Sequence, residues 1–209
     1  MSHVVLLGDS IFDNRVYVSP GPDVRHQLQA RLGKAWDVTL LAVDGHVTAD
    51  VKRSLQRVPE GATHLVVSVG GNDALGHASL LGERAGSVAE AVERLARAQS
   101  SFAAAYAEMM DAVLKLGIPS SVCTIYDANY PEPHRRLVVT ALTLFNDVIT
   151  RAAFSHGLPL IDLRLICREP SDYANPIEPS SKGGDKITAA IAAMVRGDVT
   201  ERPLSSVWI

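Results

Sequence analysis

The apolar run Val4-Val5-Leu6-Leu7 stops at a glycine and hands over to the polar turn Gly8-Asp9-Ser10, and this junction constrains the chain most. Such a run reads as a buried first strand that delivers the Ser10 hydroxyl to the edge of a parallel sheet. In open α/β sheets ligands bind in the crevice beyond the carboxyl ends of the strands, and a serine just past the first strand lies there. Gly8 permits the sharp turn, and Asp9 is able to fold back onto nearby amides.

The pattern repeats down the chain. A helical spacing of Val24, Leu28 and Leu32 ends at Gly33, and a second strand, Asp37 to Val43, runs into Asp44-Gly45-His46. A short helix opening at Thr48 carries Val51, Leu55 and Val58, and a third strand, His64 to Val69, ends at Gly70-Gly71-Asn72-Asp73. Ser87 with Glu90 forms a capping box ahead of the clearest helix, whose apolar stripe runs from Val88 and Val92 to Leu116. At about 1.5 Å per residue it would be roughly 44 Å long, so a bend is expected near Gln99-Ser100-Ser101. A fourth strand, Pro119 to Ile125, precedes a helix with Leu137, Leu144, Phe145 and Ile149. The short strand Leu158 to Leu163 follows, its proline suited to a first position or an edge. An irregular stretch, Cys167 to Ser180, leads to a last helix carrying Ile187, Ile191 and Met194. Five strands alternating with helices imply a parallel sheet covered on both faces, because parallel neighbours need crossovers.

With 209 residues, 47% of them hydrophobic, one domain over residues 1–197 is expected, with 198–209 a C-terminal tail. A net charge of -3 and the lack of a Lys/Arg block argue against a nucleic-acid partner. No basic segment followed by an apolar one resembles a secretory signal, and no apolar run approaches the roughly 18 residues of a membrane span. Two cysteines, Cys123 and Cys167, suit a reducing compartment better than a disulfide framework. A cytoplasmic protein with no membrane partner is therefore expected.

Three strand ends carry groups that serve one chemistry. A hydroxyl at Ser10, a backbone N–H at Gly45 with no side chain in its way, and the Asn72 amide are the parts of a serine acyl hydrolase with an oxyanion hole. At these positions the chain resembles the SGNH family of GDSL esterases and acylhydrolases. Gly8-Asp9-Ser10 matches its first block, Val43 to Asp50 its second and Gly70-Gly71-Asn72-Asp73 its third. The resemblance implies a three-layer α/β/α sandwich, flavodoxin-like, around a parallel sheet of about five strands. It also implies Ser10 as the nucleophile of an acyl-enzyme mechanism on a small ester. The Ser10 N–H, the Gly45 N–H and the Asn72 side chain would form the oxyanion hole.

The fourth block departs from the family. Where members carry Asp-x-x-His ahead of the last helix, this chain reads Asn175-Pro176-Ile177-Glu178. A free carboxylate near pKa 4.3 is a poor acceptor for a serine proton, and a helix N-terminus would weaken it further. Burial among Tyr173, Pro176 and Ile177 would push the other way. Glu178 is thus either the base or a carboxylate that stabilises the first turn of the last helix. His46 and His134, both at the active end of the sheet, are alternative bases, and His77 lies near Asn72. Asp13, Asn14 and Asp73 read as loop braces. No paired histidine spacing implies a metal, and no Gly-x-Gly-x-x-Gly or phosphate loop implies a flavin or nucleotide, so no cofactor is expected. The alternative to an esterase is a module on the same scaffold that has lost its base and holds a small acid or sugar in the oxyanion crevice.

Overall fold

The computed structural model describes residues 2–197, so the expected C-terminal tail at 198–209 lies outside the described residues. The chain alternates strand and helix. β1 (Ser2–Gly8), α1 (Arg15–Val18), α2 (Val24–Leu32), β2 (Trp36–Leu40), α3 (Thr48–Ser54) and β3 (His64–Ser68) come first. They are followed by α4 (Gly71–Leu75), α5 (Val88–Leu114), β4 (Ser120–Cys123), α6 (His134–Ser155), β5 (Leu160–Ile161) and α7 (Leu163–Ile166). A hairpin of β6 (Tyr173–Asn175) and β7 (Glu178–Pro179) precedes α8 (Ser181–Arg196).

β1 to β5 pair in parallel in the order β2-β1-β3-β4-β5. This is the flavodoxin-like order, whose reversal of winding falls between β1 and β3 and opens a crevice there. Side chains along β1 alternate between two cores, since successive residues of a strand face opposite sides. Val4 and Leu6 pack with Leu28, Ile187 and Ile191 of α2 and α8, whereas Val5 and Leu7 pack with Phe102, Met109 and Ile149 of α5 and α6. The helices therefore cover both faces, as the sequence implies.

Details differ from the sequence reading. The long helix runs continuously from Val88 to Leu114 without interruption at Gln99. Gln99 leaves the apolar stripe because its amide donates to the carbonyl of Leu144 at 3.1 Å and to Asp147 at 3.4 Å, across to α6. The buried face of α5 starts only at Ala98, so Val88 and Val92 stand 82% and 57% exposed. Leu137, at the start of α6, is likewise exposed. β2 to β5 are also shorter than the stretches read as strands, whereas β1 extends beyond its apolar run. By length and composition α6 is apolar enough to cross a membrane, a feature its interspersed Arg, Asn and Asp concealed. It packs on α5 and β4, burying Leu142, Phe145 and Ile149. The stretch read as irregular, Cys167 to Ser180, contains a 3-10 turn at Pro170–Asp172 and the antiparallel β6–β7 hairpin.

Candidate active site

Ser10 sits two residues beyond β1, and the sharpness of its turn rests on Gly8. Gly8 has φ +139°, and a Cβ there would lie 1.8 Å from the carbonyl oxygen of Ser68 on β3. Only glycine allows that approach. The loop then tightens on Asp9, whose carbonyl accepts from Phe12 and Asp13 and whose carboxylate accepts from the Ile11 N–H at 3.1 Å. Among the described residues no backbone carbonyl accepts from the Ser10 or the Gly45 N–H.

The loop after β2, which carries Gly45, is tied to both neighbouring strand ends. Val43 N–H donates to the Gly8 carbonyl, and Asp44 N–H donates to Asp13 at 3.1 Å. From β3, the Asn72 amide donates to the His46 carbonyl at 2.9 Å, and Asp73 accepts from the Thr48 N–H at 3.0 Å. Gly45, at φ +83°, lies within this bracket and is exposed, with no atom within 4 Å of where a Cβ would stand. Asp13 and Asp73 are thus loop braces, as their short polar side chains suggest. One Asn72 N–H is committed to His46, which leaves the other to a ligand.

Glu178 arrives from the far end of the chain on β7 and is 5% exposed. The hairpin is pinned by main-chain bonds: Tyr126 hydroxyl donates to Ile177 at 2.7 Å, Asn129 N–H to Pro176 at 2.8 Å, and Asn14 amide to Pro179 at 3.3 Å. Asn175, read from the sequence as replacing the family's orienting aspartate, is exposed, and its side chain accepts from Ile177 N–H in a local turn. Glu178 does not cap α8 either; Ser180 does, accepting from Gly183 N–H at 3.2 Å. The helix-stabilising role considered for Glu178 is thus taken by another residue.

Burial pushes the Glu178 carboxyl up to about 7; the facing Ser10 hydroxyl pulls it down and the charge of Asp44 raises it again. Among the described residues its Oε2 has no hydrogen-bond partner. Asp9 is pushed up to about 7 as well, first by burial, against the pull of the Ile11 N–H, with Glu178 and Asp73 adding negative charge. Desolvation thus outweighs the helix-terminus effect.

Asp9, Ser10, Asn72 and Glu178 border one cavity of about 160 Å³ at the β1–β3 crevice. His77 and His134 also border it, His77 against the Phe145 ring and His134 against Tyr130, at ring separations of 6.2 and 4.9 Å. His46 does not border it, and no histidine is among the groups that act on Glu178. Among the described residues no group of three or more His, Cys, Asp or Glu side chains is arranged to hold a metal. Sequence reasoning missed Tyr126 and Asn129, whose only signal was their place in the loop after the fourth strand.

Comparison with known proteins agrees with the fold. No curated protein matches the chain significantly in sequence. Among solved structures, an extracellular lipase from Streptomyces rimosus superposes with a TM-score of 0.66 at 18% identity, covering 95% of this chain and 100% of that one. The aryl esterase of M. smegmatis gives 0.67 at 14% identity over 95% and 100% of the two chains. A lipase from a goat rumen metagenome gives 0.73 at 16% identity over 92% and 97%. At these identities the likeness is one of fold. Membership comes from the sequence model of the GDSL-like lipase/acylhydrolase family, which matches residues 6–185; the chain belongs to that family of ester-hydrolysing enzymes.

Proposed function

We propose that this chain is a serine esterase acting on a small ester through an acyl-enzyme at Ser10, with Glu178 in the place of the family's histidine. The observation that carries the proposal is that Ser10 and the buried Glu178 border the same cavity, where burial raises the Glu178 carboxyl to about 7. A general base works best with a pKa near the working pH, and burial moves this carboxylate from a range where it is a poor base into one where histidine ordinarily works.

In the first half-reaction Ser10 Oγ attacks the ester carbonyl carbon and its proton passes to Glu178. The oxygen that gains negative charge meets the Ser10 N–H, the Gly45 N–H and the free Asn72 N–H. Such donors supply roughly 3 to 4 kcal/mol each where measured. The tetrahedral centre then collapses, the alcohol leaves with the proton held by Glu178, and the acyl group stays on Ser10. Water repeats the sequence, with Glu178 again accepting and returning the proton. No cofactor takes part. The two buried free cysteines support placing the enzyme in a reducing compartment such as the cytoplasm.

The test is hydrolysis of p-nitrophenyl acetate by the wild type, Ser10→Ala and Glu178→Ala. Both variants should lose at least about a hundredfold in kcat. Equal rates for wild type and Ser10→Ala would remove the catalytic role. A binding module on the same scaffold is favoured by two features: Asn175 accepts only from the Ile177 N–H, and Glu178 Oε2 has no partner, among the described residues. Failure of a fluorophosphonate to label Ser10 selects the module, and clean labelling excludes it.

A further inference from the structure

The cavity beside Ser10 is built unevenly. Its carboxyl, hydroxyl and amide groups gather at the strand ends; beyond them, with His77, Tyr130 and His134 at its edge, the wall is apolar: Leu75 from α4, Leu95 and Ala98 from α5, and Ala141, Leu142 and Phe145 from α6. These residues belong to elements on one side of the nucleophile. On the other side stands Gly45, exposed, absent from the cavity wall and open for at least 4 Å where a side chain would project. The site therefore has one enclosed apolar side and one open side.

We infer that the enclosed side is an acyl pocket and that the preferred substrates are esters of apolar acids of about six carbons. Two observations carry this. The volume, about 160 Å³, matches apolar cavities of about 150 Å³ that hold benzene. The asymmetry assigns the sides: the acyl group stays bonded to Ser10 through both half-reactions, whereas the alcohol must leave and water must enter. Enclosure suits the group that stays, and the open face at Gly45 suits the group that departs. Ala98 and Ala141 set the bore, because a larger side chain at either would fill it, and Phe145 limits its depth. The assignment of sides rests on Ser10 as nucleophile; the size and polarity of the pocket do not.

The test separates the two. Hexanamide and acetamide, which are poor substrates, are titrated by NMR into the wild type and Ser10→Ala; methyl acetate, methyl hexanoate, methyl dodecanoate and hexyl acetate are then assayed for turnover. Each buried methylene is worth about fourfold, so hexanamide should bind at least about 30-fold more tightly than acetamide to both proteins. Ala141→Trp, at a half-buried position, should bring hexanamide down to the level of acetamide, with Val138→Phe, at another residue of the cavity wall, as a second filling variant should the tryptophan disturb folding. In turnover, kcat/KM should be highest for methyl hexanoate and lower for both methyl dodecanoate and hexyl acetate. Equal binding of the two amides, or full hexanamide affinity in folded Ala141→Trp, overturns the pocket. Faster cleavage of hexyl acetate than of methyl hexanoate overturns its assignment to the acyl side. If the amides discriminate but no ester is cleaved, the pocket stands and the esterase proposal falls.

Discussion

Asn14 and Pro179 join the two ends of the chain at the site. The Asn14 amide donates to the Pro179 carbonyl at 3.3 Å, while its oxygen accepts from the Val24 N–H at 3.0 Å. Asn14 is fully buried, so its removal breaks both bonds at a place that water does not reach. Asn14→Leu should therefore cost about 2 to 3 kcal/mol in urea unfolding. It should also lower kcat, because β7 loses the bond that holds Glu178 against the Ser10 loop. Unchanged stability would show that the bond contributes nothing.

The pH dependence of hydrolysis follows from Glu178. A base acts when deprotonated, so with its pKa raised to about 7 the rate should climb with pH through about 7, rather than through the ordinary glutamate range near 4.5. Glu178→Gln keeps the shape, abolishes the climb and should lower kcat by 100-fold or more, on the order of general-base contributions. A wild-type profile already flat above pH 5 would show an ordinary carboxylate.

Stability should depend on pH in the opposite sense to most acid-sensitive proteins. Asp9 and Glu178 both hold protons more tightly folded than unfolded, where carboxyls titrate near 4. Between those values and about 7 the folded state binds more protons, so stability falls as pH rises across that window. Melting temperature should drop between pH 5 and pH 8. Asp9→Asn, which keeps an oxygen for the Ile11 N–H, should reduce that drop, and differential scanning calorimetry at the two pH values measures it.

Among the described residues the Asn72 amide donates only to the His46 carbonyl, which leaves its second N–H for a ligand. Asn72→Ala should lower kcat by 100- to 1,000-fold, the range for loss of one oxyanion donor, while KM for a small ester changes little. A change confined to KM would mean that Asn72 only shapes the crevice.

Residues far apart along the chain but each adjacent to a strand end were legible from the sequence. Ser10, Gly45 and Asn72 all follow apolar runs, and parallel strands send their ends the same way. That logic needs no distances. It erred where an apolar residue had two possible destinations. Val88 and Val92 keep helical spacing yet face solvent, and Leu95 and Ala141 keep the same spacing yet line the cavity. Periodicity identifies a face of a helix, and only packing shows where a neighbour ends and a void or the solvent begins.

By itself the sequence determined the α/β order, the positions of the glycine turns and the place of the Ser10 hydroxyl just past the first strand, because these depend on neighbours a few residues away. The tertiary structure alone decided what Glu178 is. A carboxylate in water and a carboxyl near pKa 7 are the same residue in different surroundings, and those surroundings come from Ser10, Asn14, Asp44 and Tyr126, contributed by segments distant in the chain. Desolvation is a property of the folded surroundings, so no reading of Asn175-Pro176-Ile177-Glu178 in isolation contains it.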